Sequence, residues 1–406
     1  MEEVKAKMKS KYYLAWAKDE GIRKKGANGG FVTATLVSAL ENDFIDVAFV
    51  VEKKSVYEGI PVLTSDPEVV KECAGSLHGA PVNLTKYVVE HAAAAKKRIG
   101  LPVKPCDARG IIEQAKRRQV NRDNIFMIGL NCGGTLHPLR MREMAADFYG
   151  LDPDSVVREE IKEGKIFLVS EEEGGAEKEK WIKIDELEAK GYGRRDACKS
   201  CITKIPTMAD LACGNWGVPK GEEKKTFVEV CSEKGGAILE NAVESGYVAV
   251  EEAPGKGVEM RNKIEAGMQK LAASLKERMD EVSALSRSER FEFYVDALKD
   301  CIHCGACKAV CPVCACEEDA KCLGTNDERD SYAVSMYNML RIFHLMDSCI
   351  HCGQCEDVCP VDIPLTLIQR RFSERMQRRL RYTPGMDVTE KPPLYETELR
   401  WSAGAE

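Results

Sequence analysis

Cys301, Cys304, Cys307 and Cys311 are followed by Pro312 in the spacing C-x2-C-x2-C-x3-C-P, and Cys349, Cys352, Cys355, Cys359 and Pro360 repeat it in full. Three thiolates set three residues apart let one loop wrap three corners of a cubane, and the proline keeps a helix from drawing the fourth away. Where two such runs share a domain, the fourth cysteine of each ligates the other cluster. That assigns Cys301, Cys304, Cys307 and Cys359 to one [4Fe–4S] cluster and Cys349, Cys352, Cys355 and Cys311 to a second. A zinc ribbon takes four cysteines and leaves half of these eight without a role. The chemistry is one-electron transfer.

A further set of cysteines lies far upstream. Cys106 and Cys132 each end a predicted strand and precede a helix, in LPVKPC-DARG and IGLNC-GG, and Cys198 and Cys201 form a C-x2-C pair in DACKSC. In an open parallel sheet the first two positions fall on one edge, outside the carboxyl ends of the strands. The four can converge there as ligands of a third cubane, with Cys213 as a competitor. Cys314, Cys316 and Cys322 are surplus to the dense runs. Three thiolates alone fall short of a tetrahedral set, so a structural role and a site completed by another group both stand open.

The chain that positions these groups has 406 residues, a net charge of −7 and 18 cysteines, seven before position 301 and eleven from Cys301 to Cys359. Its length suits two or three domains with a sizeable core. The acidic balance argues against nucleic acid or an acidic membrane surface as partner. No apolar run reaches the length of a membrane span, and MEEVKAKMKSKYYLAW lacks the apolar core of a secretory signal, so the expectation is a cytoplasmic chain. That compartment keeps thiols reduced, which favours ligation over disulfides.

The first 150 residues alternate between strand and helix. Asn28-Gly29-Gly30 opens a helix to about Asn42, IDVAFVVEK reads as a buried strand, and Asp66-Pro67 starts a short helix. Strand-like RIGLPVKPC and NIFMIGLNC are each followed by a helix. Repeated β-α units imply an α/β fold with a mostly parallel sheet covered by helices. KIFLVS and KWIKI read as two strands joined by the acidic tip EEEGGAEKE. The expected domains are an α/β unit over 1–252, a helical connector over 253–298, a two-cluster unit over 299–383 and a polar, loosely held tail over 384–406. Thirty-seven residues of partly helical pattern separate Cys311 from Cys349. The second domain thus resembles the helical ferredoxins of respiratory complexes more than a compact one. Asn28-Gly29-Gly30 before a helix suits backbone contact with an anionic or planar cofactor, or a simple turn. No G-x-G-x-x-G follows a strand, so a Rossmann site is not supported.

NGGFVTATLVSAL, PCDARGI, LNCGGT, CKSCI and ADLACGNWGVP occur in an order that resembles the β-subunit family of coenzyme F(420)-reducing hydrogenases and dehydrogenases, over roughly residues 12 to 250. With the two-cluster domain added, the resemblance is strongest to the formate dehydrogenase members of that family in methanogenic archaea. It implies an α/β domain that binds FAD, carries one [4Fe–4S] cluster and takes the deazaflavin F(420) as substrate. On this chain the cluster ligands would be Cys106, Cys132, Cys198 and Cys201. The flavin would lie against Asn28, Gly29, Gly30 and Thr33, with Gly214, Trp216 and Gly217 as a second wall. Where relatives read Gly-Ser-Lys-Tyr this chain has Gly75-Ser76-Leu77-His78, so Ser76 and His78 become candidates in place of the lysine and aromatic contacts. The implied activity passes electrons between F(420) and a partner through FAD and three clusters, with no side chain acting as nucleophile or base. The implied partner is a molybdenum or tungsten pterin subunit that oxidises formate. Alternatives are a ferredoxin- or hydrogenase-linked F(420) oxidoreductase, and an electron-transfer adaptor without flavin turnover that joins a dehydrogenase to heterodisulfide reductase.

Overall fold

The computed structural model describes residues 10–95, 97–172, 175–279, 281–316 and 331–394. An eight-stranded sheet carries the order β11-β1-β10-β9-β5-β4-β2-β3, where β1 is Tyr12–Ala17, β2 Val47–Ser55, β3 Glu58–Thr64, β4 Ile99–Val103, β5 Ile125–Leu130, β9 Leu211–Gly214, β10 Thr226–Val230 and β11 Val248–Glu252. The central neighbours β2, β4, β5 and β9 pair in parallel, and the pairs toward both edges are antiparallel. Following those pairings, β1 points the same way as the central four, so five of the eight strands share one direction. Two apolar clusters cover the faces. One gathers Phe31, Leu36, Val37, Phe126, Ile128 and Leu239; the other gathers Phe49, Leu84, Leu101, Val103, Ile111 and Met127.

A second, three-stranded antiparallel sheet joins β6 (Val156–Lys162), β7 (Lys165–Glu171) and β8 (Glu177–Lys183). The sequence reading has the β7–β8 hairpin but not β6. VVREEIK carries Arg158, Glu159, Glu160 and Lys162, buries Glu159 while exposing Val157, and shifts register between Val156 and Arg158, so no alternation marks it as a strand.

After β11 comes the helix Gly255–Met279, then the helix Arg287–Leu298, which opens on a capping box between Ser286 and Glu289. The helices Ser331–Leu345 and Leu365–Leu380 pack with it around Tyr294, Leu298, Ile342, Ile363 and Ile368. The two cysteine runs have the same backbone. His303 and His351 sit at φ 56° and 57°, and Gly305 and Gly353 at 73° and 74°. Each glycine caps a one-turn helix, Ala306–Ala309 and Gln354–Asp357. A non-glycine residue held in the left-handed region at both equivalent positions is a shape the loop imposes on the chain.

The two domains meet across a buried polar surface. Gln114 donates to the Pro312 carbonyl at 2.7 Å, Gln354 to that of Pro81 at 2.8 Å, and Arg117 to Ser348 Oγ at 2.5 Å. The expected loose tail needs correction over residues 384–394. Arg109 donates to the Pro384 carbonyl at 2.8 Å, the Gly385 amide to Glu113 at 2.7 Å, and the Leu394 amide to Asp347 at 3.0 Å. Backbone hydrogen bonds to buried carboxylates, invisible to composition, hold this stretch.

Candidate electron-transfer site

The carboxyl ends of β1, β2, β4, β5 and β9 share one edge of the main sheet, and the candidate residues lie along it. Past β1 comes the turn Asn28–Gly30, whose Asn28 carbonyl accepts a hydrogen bond from Thr226 Oγ1 at the start of β10. Past β9, Gly214 pairs with Phe227 in the same β10, and Gly217 packs on the Phe227 ring. Segments 28–30 and 214–217 therefore flank the head of one strand, with Trp216 half-buried between solvent and core and Thr33 buried. The glycine pair has a steric cause of its own. A Cβ on Gly29 would stand 2.1 Å from the Lys224 carbonyl oxygen, and one on Gly30 2.5 Å from that of Ile22. Loop 75–79 reaches the same edge, because Gly79 presses on the Val56 carbonyl beyond β2. His78 Nδ1 lies 3.5 Å from the buried Glu159 carboxylate of β6, and the His78 carbonyl accepts from Leu136. Ser76 is exposed.

Cys132 follows β5, and Cys106 sits in the first turn of the helix Pro105–Lys116 instead of ahead of it. Pro105 presets the first helical position, and the Lys104 amide donates to Asp107 at 2.8 Å, so the helix starts two residues earlier than its apolar pattern suggests. Cys198 and Cys201 lie at the short helix Asp196–Lys199 and just past it. Three contacts draw these segments together. The Cys132 amide donates to the Lys204 carbonyl at 2.9 Å, Lys204 Nζ donates to the Cys198 carbonyl at 3.3 Å, and a Cβ on Gly134 would stand 3.2 Å from Cys198 Cβ. The thiols feel one another. Burial pushes the Cys132 thiol up to about 11, with the charges of Cys198 and Cys201 adding to it; burial also raises Cys106 well above the ordinary thiol value, with Asp107, Cys132 and Cys198 contributing. Cys198 is the exception. Burial would raise it, but the Arg195 guanidinium and Thr135 hold it below the ordinary thiol value. Cys213 lies elsewhere, fully buried in the main core.

Each of the two dense runs closes on a cavity. Cys301, Cys304, Cys307 and Cys359 line one, beside Ile302, Ile363 and Leu365. Cys349, Cys352, Cys355 and Cys311 line the other, beside Arg341, Leu345 and Ile350. The cysteine distant in sequence stands in each cavity with the three that are close, as cross-ligation requires. Among the described residues no three cysteine, histidine or carboxylate side chains gather tightly enough to share one metal ion. Four thiols around a space, as opposed to a point, suit a cubane whose corners each take one ligand.

The cavities and the upstream set are neighbours. Cys106 packs with Cys352 on the apolar cluster of Cys311, Val313, Cys314, Leu345 and Ile350. Arg341 lines the second cavity and donates to the Cys307 carbonyl of the first at 2.8 Å. At the far end Cys304 is exposed and Ile302 is 48% exposed. Of the surplus cysteines, Cys314 is buried and hydrogen-bonded with Cys316, which with Lys86 brings its thiol down to about 5; Cys322 lies outside the described residues.

Two residues escaped the sequence reading. Asn131, between β5 and Cys132, has both amide atoms buried without a partner among the described residues, against Gly214. The motif LNCGGT contains it, and its burial alone marks it. Arg195, beside Cys198, bridges to the Cys352 carbonyl and Asp357 of the second domain.

Comparison with known proteins agrees with this architecture. Residues 12–88 match the family model "coenzyme F(420) hydrogenase/dehydrogenase, beta subunit N-term", residues 96–256 that of its C terminus, and residues 297–363 a 4Fe-4S dicluster domain. The F(420)-dependent formate dehydrogenase subunit beta of Methanocaldococcus jannaschii is 40% identical over 96% of this chain and all of its own length. The F(420)-dependent formate dehydrogenase 1 subunit beta of Methanococcus maripaludis is 42% identical over 95% of this chain and 98% of its own. A chain in a solved structure of the F(420)-reducing [NiFe] hydrogenase complex of Methanosarcina barkeri shares the fold, with a TM-score of 0.56 at 20% identity over 69% of this chain and 94% of that one. The chain, with its dicluster domain appended, belongs to the β-subunit family of the coenzyme F(420) hydrogenases and dehydrogenases.

Proposed function

We propose that this chain is the electron-transferring β subunit of an F(420)-dependent formate dehydrogenase. It is an oxidoreductase subunit with an iron–sulfur domain, working with an α subunit that oxidises formate. The observation that carries this reading is the succession of three cysteine sets. Cys106, Cys132, Cys198 and Cys201 stand at the sheet edge beside the candidate flavin segments. Cys106 and Cys352 of the next set pack against one shared apolar cluster, and Arg341 links that set to the outermost one.

In this reading each set holds one [4Fe–4S] cluster. FAD, when bound, supplies the exchange between a hydride and single electrons. The residues that would hold it are Asn28, Gly29, Gly30 and Thr33 on one side and Gly214, Trp216 and Gly217 on the other. The unpartnered Asn131 amide offers a donor and an acceptor between that wall and Cys132. A buried amide without partners costs about 1–3 kcal/mol, which a polar ring edge would relieve. Ser76 and His78 border the same edge, and the Glu159 carboxylate accepts from the His78 backbone amide. Exposed Cys304 and Ile302 mark the end of the series that faces the α subunit.

Among the described residues no helix is long and apolar enough to cross a membrane. The division of labour is testable on the isolated chain. Reconstituted anaerobically with iron, sulfide and FAD, it should reduce F(420) from an artificial one-electron donor and should not oxidise formate. Formate oxidation by the pure chain would overturn it.

A further inference from the structure

Arg195 lies between two of the cysteine sets and touches both. Its side chain is 5% exposed. On one side Nη1 lies 3.7 Å from Cys198 Sγ and donates to Thr135 Oγ1 at 3.3 Å. On the other, Nη2 donates to the Cys352 carbonyl at 3.0 Å and pairs with Asp357. The chain is shaped to admit it. A Cβ on Gly353 would stand 2.4 Å from Ala197 Cβ and 3.1 Å from Arg195 Nη2. Only a glycine there lets the loop Cys349–Cys355 close down on the helix that Arg195 begins.

A guanidinium cannot lose its charge and presents a rigid fork, so it serves both sides at once. Among the described residues its only carboxylate partner, Asp357, is on the Cys352 side, which leaves its field least compensated toward Cys198. A cation beside a ligating sulfur, in a medium that screens little, stabilises the reduced cluster, which carries one more negative charge than the oxidised one. We propose that Arg195 is a positioning and tuning residue of the electron path. It raises the potential of the cluster held by Cys106, Cys132, Cys198 and Cys201 while clamping the Cys352 loop against it. Arg341 has the corresponding place one step outward, lining the second cavity and bonded to the Cys307 carbonyl. It therefore supplies a control of the same chemistry at another junction.

The proposal rests on the ligand assignment above, so its test separates the two. The full-length chain is reconstituted anaerobically with iron and sulfide, and each cluster's midpoint potential is read by EPR-monitored redox titration. Cys198→Ser tests the assignment: a full complement of three unaltered cluster signals in that variant means the assignment fails. Arg195→Gln tests the inference. The expected result is full iron content with one cluster signal shifted to lower potential, and Arg195→Lys should restore most of that shift. Arg341→Gln should leave that signal in place and move another. Unchanged potentials in Arg195→Gln with full iron content overturn the proposal. If Arg195→Gln fails to assemble, Arg195→Lys decides. Loss of a cluster there too makes the residue a scaffold and overturns tuning, whereas a retained cluster at near-native potential supports it.

Discussion

At the scale of single residues, the positions that matter most are those where one atom would be too many. Gly29 and Gly30 hold φ of 77° and 73°, and a Cβ on Gly29 would meet a backbone oxygen at 2.1 Å. Backbone cannot swing aside as a lysine tip does. Gly29→Ala should therefore lower stability by at least ~2 kcal/mol, from the left-handed conformation plus the clash. Gly246 has φ 85° with nothing within 4 Å of a Cβ. Gly246→Ala should cost only the conformational part, about 1–2 kcal/mol. Thermal unfolding of the two reconstituted variants, compared side by side, checks this; equal losses would mean the contact with Lys224 is unimportant. The sequence shows such glycines and the cysteine spacings directly, because both act through local geometry. It hides Arg195 and Asn131, whose roles depend on partners such as the Cys352 carbonyl, 157 residues away.

At the scale of elements, the helix Pro105–Lys116 joins the two halves of the account. Its first turn carries Cys106, and its Asp107 accepts from the amides of Lys104 and Leu84. One further turn along, Arg109 reaches the Pro384 and Ile350 carbonyls. At its end Glu113, fully buried, accepts from Tyr382 at 2.6 Å and from Gly385, and pairs with Lys116 at 3.0 Å and Arg117 at 2.7 Å. Burial alone would raise the Glu113 carboxyl, but Lys116, Arg117 and Tyr382 outweigh it and hold it below its ordinary range. The charged form is thus favoured by folding. Its contribution is fully present above the ordinary carboxylate pKa of about 4.3 and is lost as pH falls through the lowered folded value. Glu113→Gln mimics that loss at neutral pH and strands two cations, at a cost of about 3–5 kcal/mol. Hydrogen exchange of residues 382–394 should accelerate in the variant while exchange in β4 and β5 holds. Unchanged exchange in that segment would show that Glu113 does not secure it. Helix periodicity makes this element legible, but its docking face is not, since Arg109, Glu113 and Gln114 read as solvent-facing polar residues. β3 is hidden for a different reason. Gly59 and Pro61 look like a turn, and an edge strand tolerates both.

At the scale of the whole molecule, the β-α alternation, the second domain and the eight dense cysteines follow from patterns that repeat along the chain. The antiparallel flanks do not, because β10 and β11 return to β1 across more than 200 residues. That return brings the turn at Asn28 beside Gly214 and sets both at the edge where Cys106 and Cys132 stand. The dicluster domain then docks so that Cys352 shares an apolar cluster with Cys106 and Cys304 is exposed. In the proposed reading the chain is organised as a line of one-electron carriers running from a deazaflavin site toward a partner surface. The most direct test of that claim is anaerobic. The chain is reconstituted with iron, sulfide and FAD to about twelve irons, four for each of three clusters. Reduced F(420) is then added while the visible spectrum is followed. The account predicts that the absorption of oxidised F(420) returns as the iron–sulfur absorption bleaches and that three reduced-cluster EPR signals appear. Clusters that assemble in full yet stay oxidised in the presence of reduced F(420) would contradict it.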